Sequence, residues 1–189
     1  ATKLGSLKLI VDGAILVKGL KVHSNTTIEC LTSDCGFFLA DRSDQPIIRN
    51  ADPSLAERKN HNIAFLGGTY NGNGAKQAHD VPGRGWVTGF ALFGVEQVTF
   101  RDVTIKNATT FAVHMTNWER AVFENIDLDN YTKEPKRQHQ CGVQVSGPGR
   151  FLSRDPAMGA AQSPESLHPY LYAVNDPVNR WDPSGRESL

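Results

Sequence analysis

Up to Arg150 the chain alternates apolar and polar positions in short runs, each closed by Asn or Gly. The segment VTFRDVTIKN, residues 98–107, superimposes on AVFENIDLDN, residues 121–130, with Phe100 on Phe123, Val103 on Ile126, Ile105 on Leu128 and Asn107 on Asn130, an offset of 23. IAFLGGTYNG, residues 63–72, fits the same frame at an offset of 35, with Ile63, Phe65 and Tyr70 on Val98, Phe100 and Ile105. The extra length is a Gly, Pro and polar insertion over residues 74–88. FALFG (90–94) and FAVHM (111–115) lie between these segments as a second strand class, and CGVQVSG (141–147) looks like its next copy. Apolar side chains at i and i+2 share one face of a strand. Recurrence every 20 to 50 residues marks a solenoid, in which each coil buries its apolar face against its neighbours. Strands this short, joined by Asn and Gly turns without helical periodicity, predict an all-β protein built as a parallel β-helix.

Asn25, Asn107 and Asn130 stand at strand ends, where Asn tolerates left-handed backbone geometry and bonds its own backbone. All three also open N-x-Ser/Thr sequons, and the turn role is the expected one. At Arg150 the texture changes. The following residues are rich in Pro, Asp and Arg and lose the recurrence, which divides the chain into residues 1–148, expected as a truncated β-helix, and an irregular tail over 149–189.

The 189 residues suffice for one sizeable core with an appended tail, and 39% hydrophobic with 21% charged residues is ordinary for a globular protein. Twenty basic and twenty acidic side chains cancel, so no global field points to nucleic acid. Lys133 to Arg137 is locally basic but interrupted by Glu134 and Pro135, as in a solvated loop. No apolar run reaches the ~20 residues of a membrane span. The start, ATKLGSLKLIVDGAILVKGL, lacks an initiator Met and an export signal, and reads as a mature or clipped end. Three cysteines do not make a disulfide scaffold; Cys30 and Cys35 are expected as two buried thiols or one optional disulfide, with Cys141 unpaired. No spacing predicts a metal site or a cofactor.

GLKVHSNTTIEC, HNIAFLGGTYNGNG and the run from Val98 to Asn130 together resemble the pectin-lyase-like right-handed parallel β-helix, in particular its polygalacturonase-type glycoside hydrolases. The Gly-rich stretch over residues 67–74 is similar to the element that precedes the substrate-side loop in that family, and the resemblance covers residues 5–150. It implies a secreted or cell-envelope location and a polysaccharide or cell-surface glycan as partner. Inverting glycoside hydrolysis needs two carboxyl groups ~6.5 to 9.5 Å apart. The second strand class contains none, and Cys141-Gly142 stands where the family carries Asp-Gly. Asp102, Glu124, Asp127 and Asp129 lie in or beside turns and are expected to be solvated. His114, in FAVHM, is a catalytic candidate that could face a groove, and Trp86, Trp118 and Tyr70 are candidates for stacking on sugar rings. A complete catalytic set is not recognisable.

The tail carries GRFLSRDP (149–156), SLHPYLYAVNDPVN (166–179) and WDPSG (181–185), which in that order resemble the RHS repeat-associated core signature. That family closes a large shell around a toxin and cleaves itself through paired aspartates, which on this chain implies Asp155 and Asp182. No YD-type repeat precedes the signature, and Arg186 replaces the Leu usual after the closing Gly. The Asp-Pro pairs also suit plain turn chemistry. The apolar residues of the tail, Tyr170 and Trp181 among them, suggest that it covers an open end of the β-helix. Three readings follow: a carbohydrate-associated β-helix, a fragment of a secreted RHS-type protein, or a recombined frame with no activity as a unit.

Overall fold

A computed structural model describes residues 5–78, 80–81, 85–129 and 142–146. The chain divides into two units, Ala1–Gly149 and Arg150–Leu189, and every described residue belongs to the first. The strands are β1 (Leu7–Val11), β2 (Ala14–Val17), β3 (Leu20–Val22), β4 (Thr26–Cys30), β5 (Gly36–Leu39), β6 (Ile48–Asn50), β7 (Asn60–Leu66), β8 (Thr69–Asn71), β9 (Asp80–Val81), β10 (Gly85–Trp86), β11 (Phe90–Lys106), β12 (Val113–Asp129) and β13 (Val143–Ser146). Apart from the antiparallel β9–β10 pair, all pairings are parallel.

The register sorts these strands into three ladders. The first stacks β1, β4, β7, and the middle stretches of β11 and β12. The second stacks β2, β5, β8 and the ends of the two long strands. The third stacks β3, β6, the starts of β11 and β12, and β13. Each coil visits the ladders in that order, which makes the unit a parallel β-helix.

Both recurrence offsets reappear as register. Phe100 pairs with Phe123 and with Phe65, and Ile105 with Leu128 and Tyr70. The second strand class also stacks as read, with Val113 to Thr116 between Phe90 to Phe93 and Val143 to Ser146. Two details differ from the sequence reading. Phe111 and Ala112 precede their strand, which begins at Val113. The segment 98–107 is not one straight strand, because Asp102 takes φ 55° and turns the chain from the first ladder to the second. A single left-handed residue is enough for that corner and leaves no Gly-Asn cluster in the sequence to announce it.

Such residues stack in columns. Asn25, Asn62, Gln97 and Arg120 have φ of 60°, 55°, 57° and 56° at one level of successive coils. Asn62 Nδ2 donates to Asn25 Oδ1 at 3.1 Å, so the side chains repeat the backbone stacking. Asn107 is also left-handed, at 55°, and its amide donates to Asn71 Oδ1 at 3.1 Å. Both described sequon asparagines thus perform the turn role; Asn130 lies outside the described residues.

Inward positions fill the core. Ile28, Phe65 and Phe100 form one ladder, essentially closed to solvent. Phe65 and Phe100 stack at 5.0 Å between ring centroids, and Phe90 meets both edge-on at 4.9 and 5.0 Å. Cys30 and Cys35 are buried free thiols. Buried Asn50 is fully provided for: it donates to Asn60 Oδ1 and to the Phe93 carbonyl, and accepts from the Phe93 N–H, each at 2.9 Å.

Candidate functional site

Period-2 geometry turns alternate residues of the third ladder outward. Its register aligns Lys21, Arg49, Ala91, His114 and Gln144 in one row across five coils. Two positions on, Phe93, Thr116 and Ser146 make a second row, where the Thr116 and Ser146 hydroxyls lie 3.0 Å apart. Neighbouring coils are separated by ~4.8 Å, which puts Arg49 about 10 Å along the surface from His114.

Aromatic rings gather around His114. Phe93 meets it edge-on at 4.9 Å, Phe111 lies at 5.2 Å and Trp86 at 5.6 Å. Trp86 also packs on Phe111 at 5.2 Å yet keeps 37% of its surface open. Burial among these rings pushes the His114 imidazole below its ordinary pKa, because the charged form loses hydration there. The neutral ring is favoured, which suits packing and hydrogen bonding rather than a fixed positive charge.

Trp86 arrives on the inserted β9–β10 hairpin, which pairs it in backbone register with Asp80. Two buried threonines hold the return of this insert: Thr109 and Thr110 donate to the Val87 carbonyl at 2.7 and 2.8 Å. The hairpin therefore delivers an indole to the margin of the outward row.

The candidates read from the sequence separate clearly in space. His114 and Trp86 are brought together on the third ladder. Tyr70 is not available to a ligand: it is fully buried and packs between Phe37 and Phe90 at 5.5 and 4.8 Å. Its inward ladder position, shared with Ile105, makes it a core residue. Trp118 is likewise interior, 7% exposed and in register with Val95 on the first ladder. Neither can serve as a sugar platform. Asp155 and Asp182 lie outside the described residues, as do Cys141 and the whole RHS-like tail.

Two of the four acids beside turns are occupied as surface groups. Glu124 pairs with Arg101 at 2.6 Å, and Asp102 accepts from Asn125 Nδ2 at 2.7 Å. Among the described residues, the outward positions of the third ladder carry no carboxylate and no group of three or more His, Cys, Asp and Glu is placed to hold a metal ion. Arg49 and Lys21 are the residues that sequence reasoning missed. Their alternation within β3 and β6 was visible, but their alignment with His114 depends on the coil lengths between them.

No family model matches the chain, and no curated protein matches it. Among solved structures it is similar to a putative glycosyl hydrolase from Parabacteroides merdae, at 17% identity and a TM-score of 0.60, over 77% of this chain and 67% of that one. At that identity the likeness shows a shared fold.

Proposed function

We propose that the outer face of the third ladder binds a glycan, with a sugar ring seated on Trp86 beside His114 and acidic substituents met by Arg49 and Lys21. One observation carries this reading: a half-open indole, fixed by the insert, stands at the margin of a row that also presents two cations. Aromatic faces suit the apolar faces of sugar rings, and a guanidinium suits a carboxylate through paired hydrogen bonds. The fold shared with the Parabacteroides protein supports a carbohydrate-associated role. Two-carboxyl hydrolysis would require acids that the described outward positions lack, so binding is the activity these side chains are equipped for. Secretion or cell-envelope residence belongs to the same proposal, as the setting in which polysaccharide is met.

Calorimetric titration with neutral and uronate-containing oligosaccharides tests it. The uronate series is expected to bind, with Trp86→Ala and Arg49→Ala each weakening it by tenfold or more, about 1.4 kcal/mol. Lys8→Ala, on the first ladder, is expected to leave affinity unchanged. Equal affinity in wild type and Trp86→Ala would overturn the site.

A further inference from the structure

We propose that Cys30 and Cys35 form a modification site for low-molecular-weight disulfides, in which Cys35 takes up a thiol as a mixed disulfide and Cys30 then displaces it. The two thiols flank an exposed four-residue loop, Leu31 to Asp34, at the corner between β4 and β5.

The sulfur of Cys35 is held as an anion would be. It accepts from the Gly13 N–H at 3.0 Å and lies 3.1 Å from the Thr32 hydroxyl. These contacts lower its pKa, Thr32 contributing most, and the thiolate is the attacking species in exchange. Cys30 is the complement: burial raises its pKa, and the nearby Cys35 adds to the rise. The Tyr70 hydroxyl, buried and without a formed hydrogen bond, interacts with the Cys30 thiol.

Room is made for the Cys30 sulfur by the next coil. Gly68 has φ 83°, and a Cβ there would fall 2.5 Å from both Cβ and Sγ of Cys30. The Gly67-Gly68 pair of the Gly-rich stretch thus leaves the space into which this sulfur projects. A surface cleft of about 600 Å³ reaches Cys30, Thr32, Ser33 and Gly68; Cys35, 4% exposed, is not on its lining and is approached from the exposed loop that precedes it.

The chemistry is two thiol–disulfide exchanges. The Cys35 thiolate attacks one sulfur of RSSR, the S–S bond breaks, and RS⁻ leaves to be protonated. Cys30 then loses its proton to solvent and attacks Cys35 Sγ, expelling the second RS⁻. Two protein thiols are oxidised to one disulfide, and RSSR is reduced to two RSH.

Oxidised glutathione is the probe, applied to the full chain carrying Cys141→Ser so that only these two thiols remain. Intact mass is expected to fall by two hydrogens, with peptide mapping linking Cys30 to Cys35. Cys30→Ser is expected to retain one glutathione on Cys35. Acid-quenched time points of the parent chain should show that adduct before the disulfide, which keeps the test open if Cys30→Ser does not fold. Iodoacetamide at neutral pH should label Cys35 at least tenfold faster than Cys30, and the ratio should collapse in urea. No adduct, independent adducts on both thiols, or first reaction at Cys30 would overturn the proposal.

Discussion

Phe100 and Phe123 lie one coil apart with ring centroids 5.0 Å from each other and planes 4° from parallel. They occupy one register position of the first ladder, so the 23-residue recurrence in the sequence is the length of one coil. Phe100 is the closed member of the pair, with Phe65 stacked on its other side and no surface exposed. Truncation would open a cavity that flanking coils, tied by strand pairing, cannot collapse into. Phe100→Ala is therefore expected to destabilise by about 3–5 kcal/mol. Phe123→Ala, at a partly exposed position, should cost clearly less. Urea denaturation of both variants measures the difference.

The core was legible because it repeats. Ile63, Phe65 and Tyr70 align with Val98, Phe100 and Ile105 in the sequence alone, and that same alignment assigns Tyr70 to the interior. At Tyr70 the ladder position overrides the side-chain chemistry that suits a sugar platform. The corners were less legible. Gln97, Asp102 and Arg120 adopt left-handed geometry without being Gly or Asn, because stacking against the coils on either side imposes it. The aromatic cluster at His114 could not be read at all: it needs Trp86 from an insert, Phe93 from one coil and Phe111 from a connecting segment.

Gln97 bears a measurable cost for its position. A left-handed conformation disfavours residues with an ordinary Cβ by about 1–2 kcal/mol, whereas Asn and Gly reach it more readily. Gln97→Asn is expected to raise the melting temperature, and Gln97→Val to lower it, since β-branching makes the strain worse. A thermal scan of the two variants checks both signs; stabilisation by Val would contradict the corner assignment.

Asn50 provides a sharper test of the interior, because each of its amide atoms has a defined partner. Asn50→Asp keeps the shape but removes the Nδ2 donor and introduces a buried carboxyl. Asn60 Oδ1 and the Phe93 carbonyl each lose one of two donors, keeping the Asp52 and Ser54 N–H groups, and the new carboxylate is left facing both oxygens in the interior, at a cost of about 1–3 kcal/mol. Burial raises the pKa of the new carboxyl above its unfolded value. The variant's deficit relative to wild type should accordingly be smallest in acid and grow as pH rises through that value. Urea denaturation from pH 4 to 8 measures it, and a pH-independent deficit would argue against a buried position.

His114 supplies a pH dependence of its own. Its folded pKa lies below the ordinary value of 6.5 because burial among Trp86, Phe93 and Phe111 penalises the imidazolium. A group depressed on folding binds fewer protons in the native state than in the unfolded one at intermediate pH, so stability rises with pH across that window. The contribution is complete above about 6.5 and is lost as pH falls through the folded pKa. Protonation should also loosen the packing that seats Trp86, so its fluorescence is expected to change over the same range. His114→Gln removes the titrating group while keeping a neutral polar side chain. The difference in stability between wild type and this variant should therefore slope between neutral pH and the folded pKa and flatten on either side. Proton NMR of the His114 ring reads the midpoint directly, and a midpoint at or above 6.5 would show that the ring is not desolvated by the three aromatic neighbours.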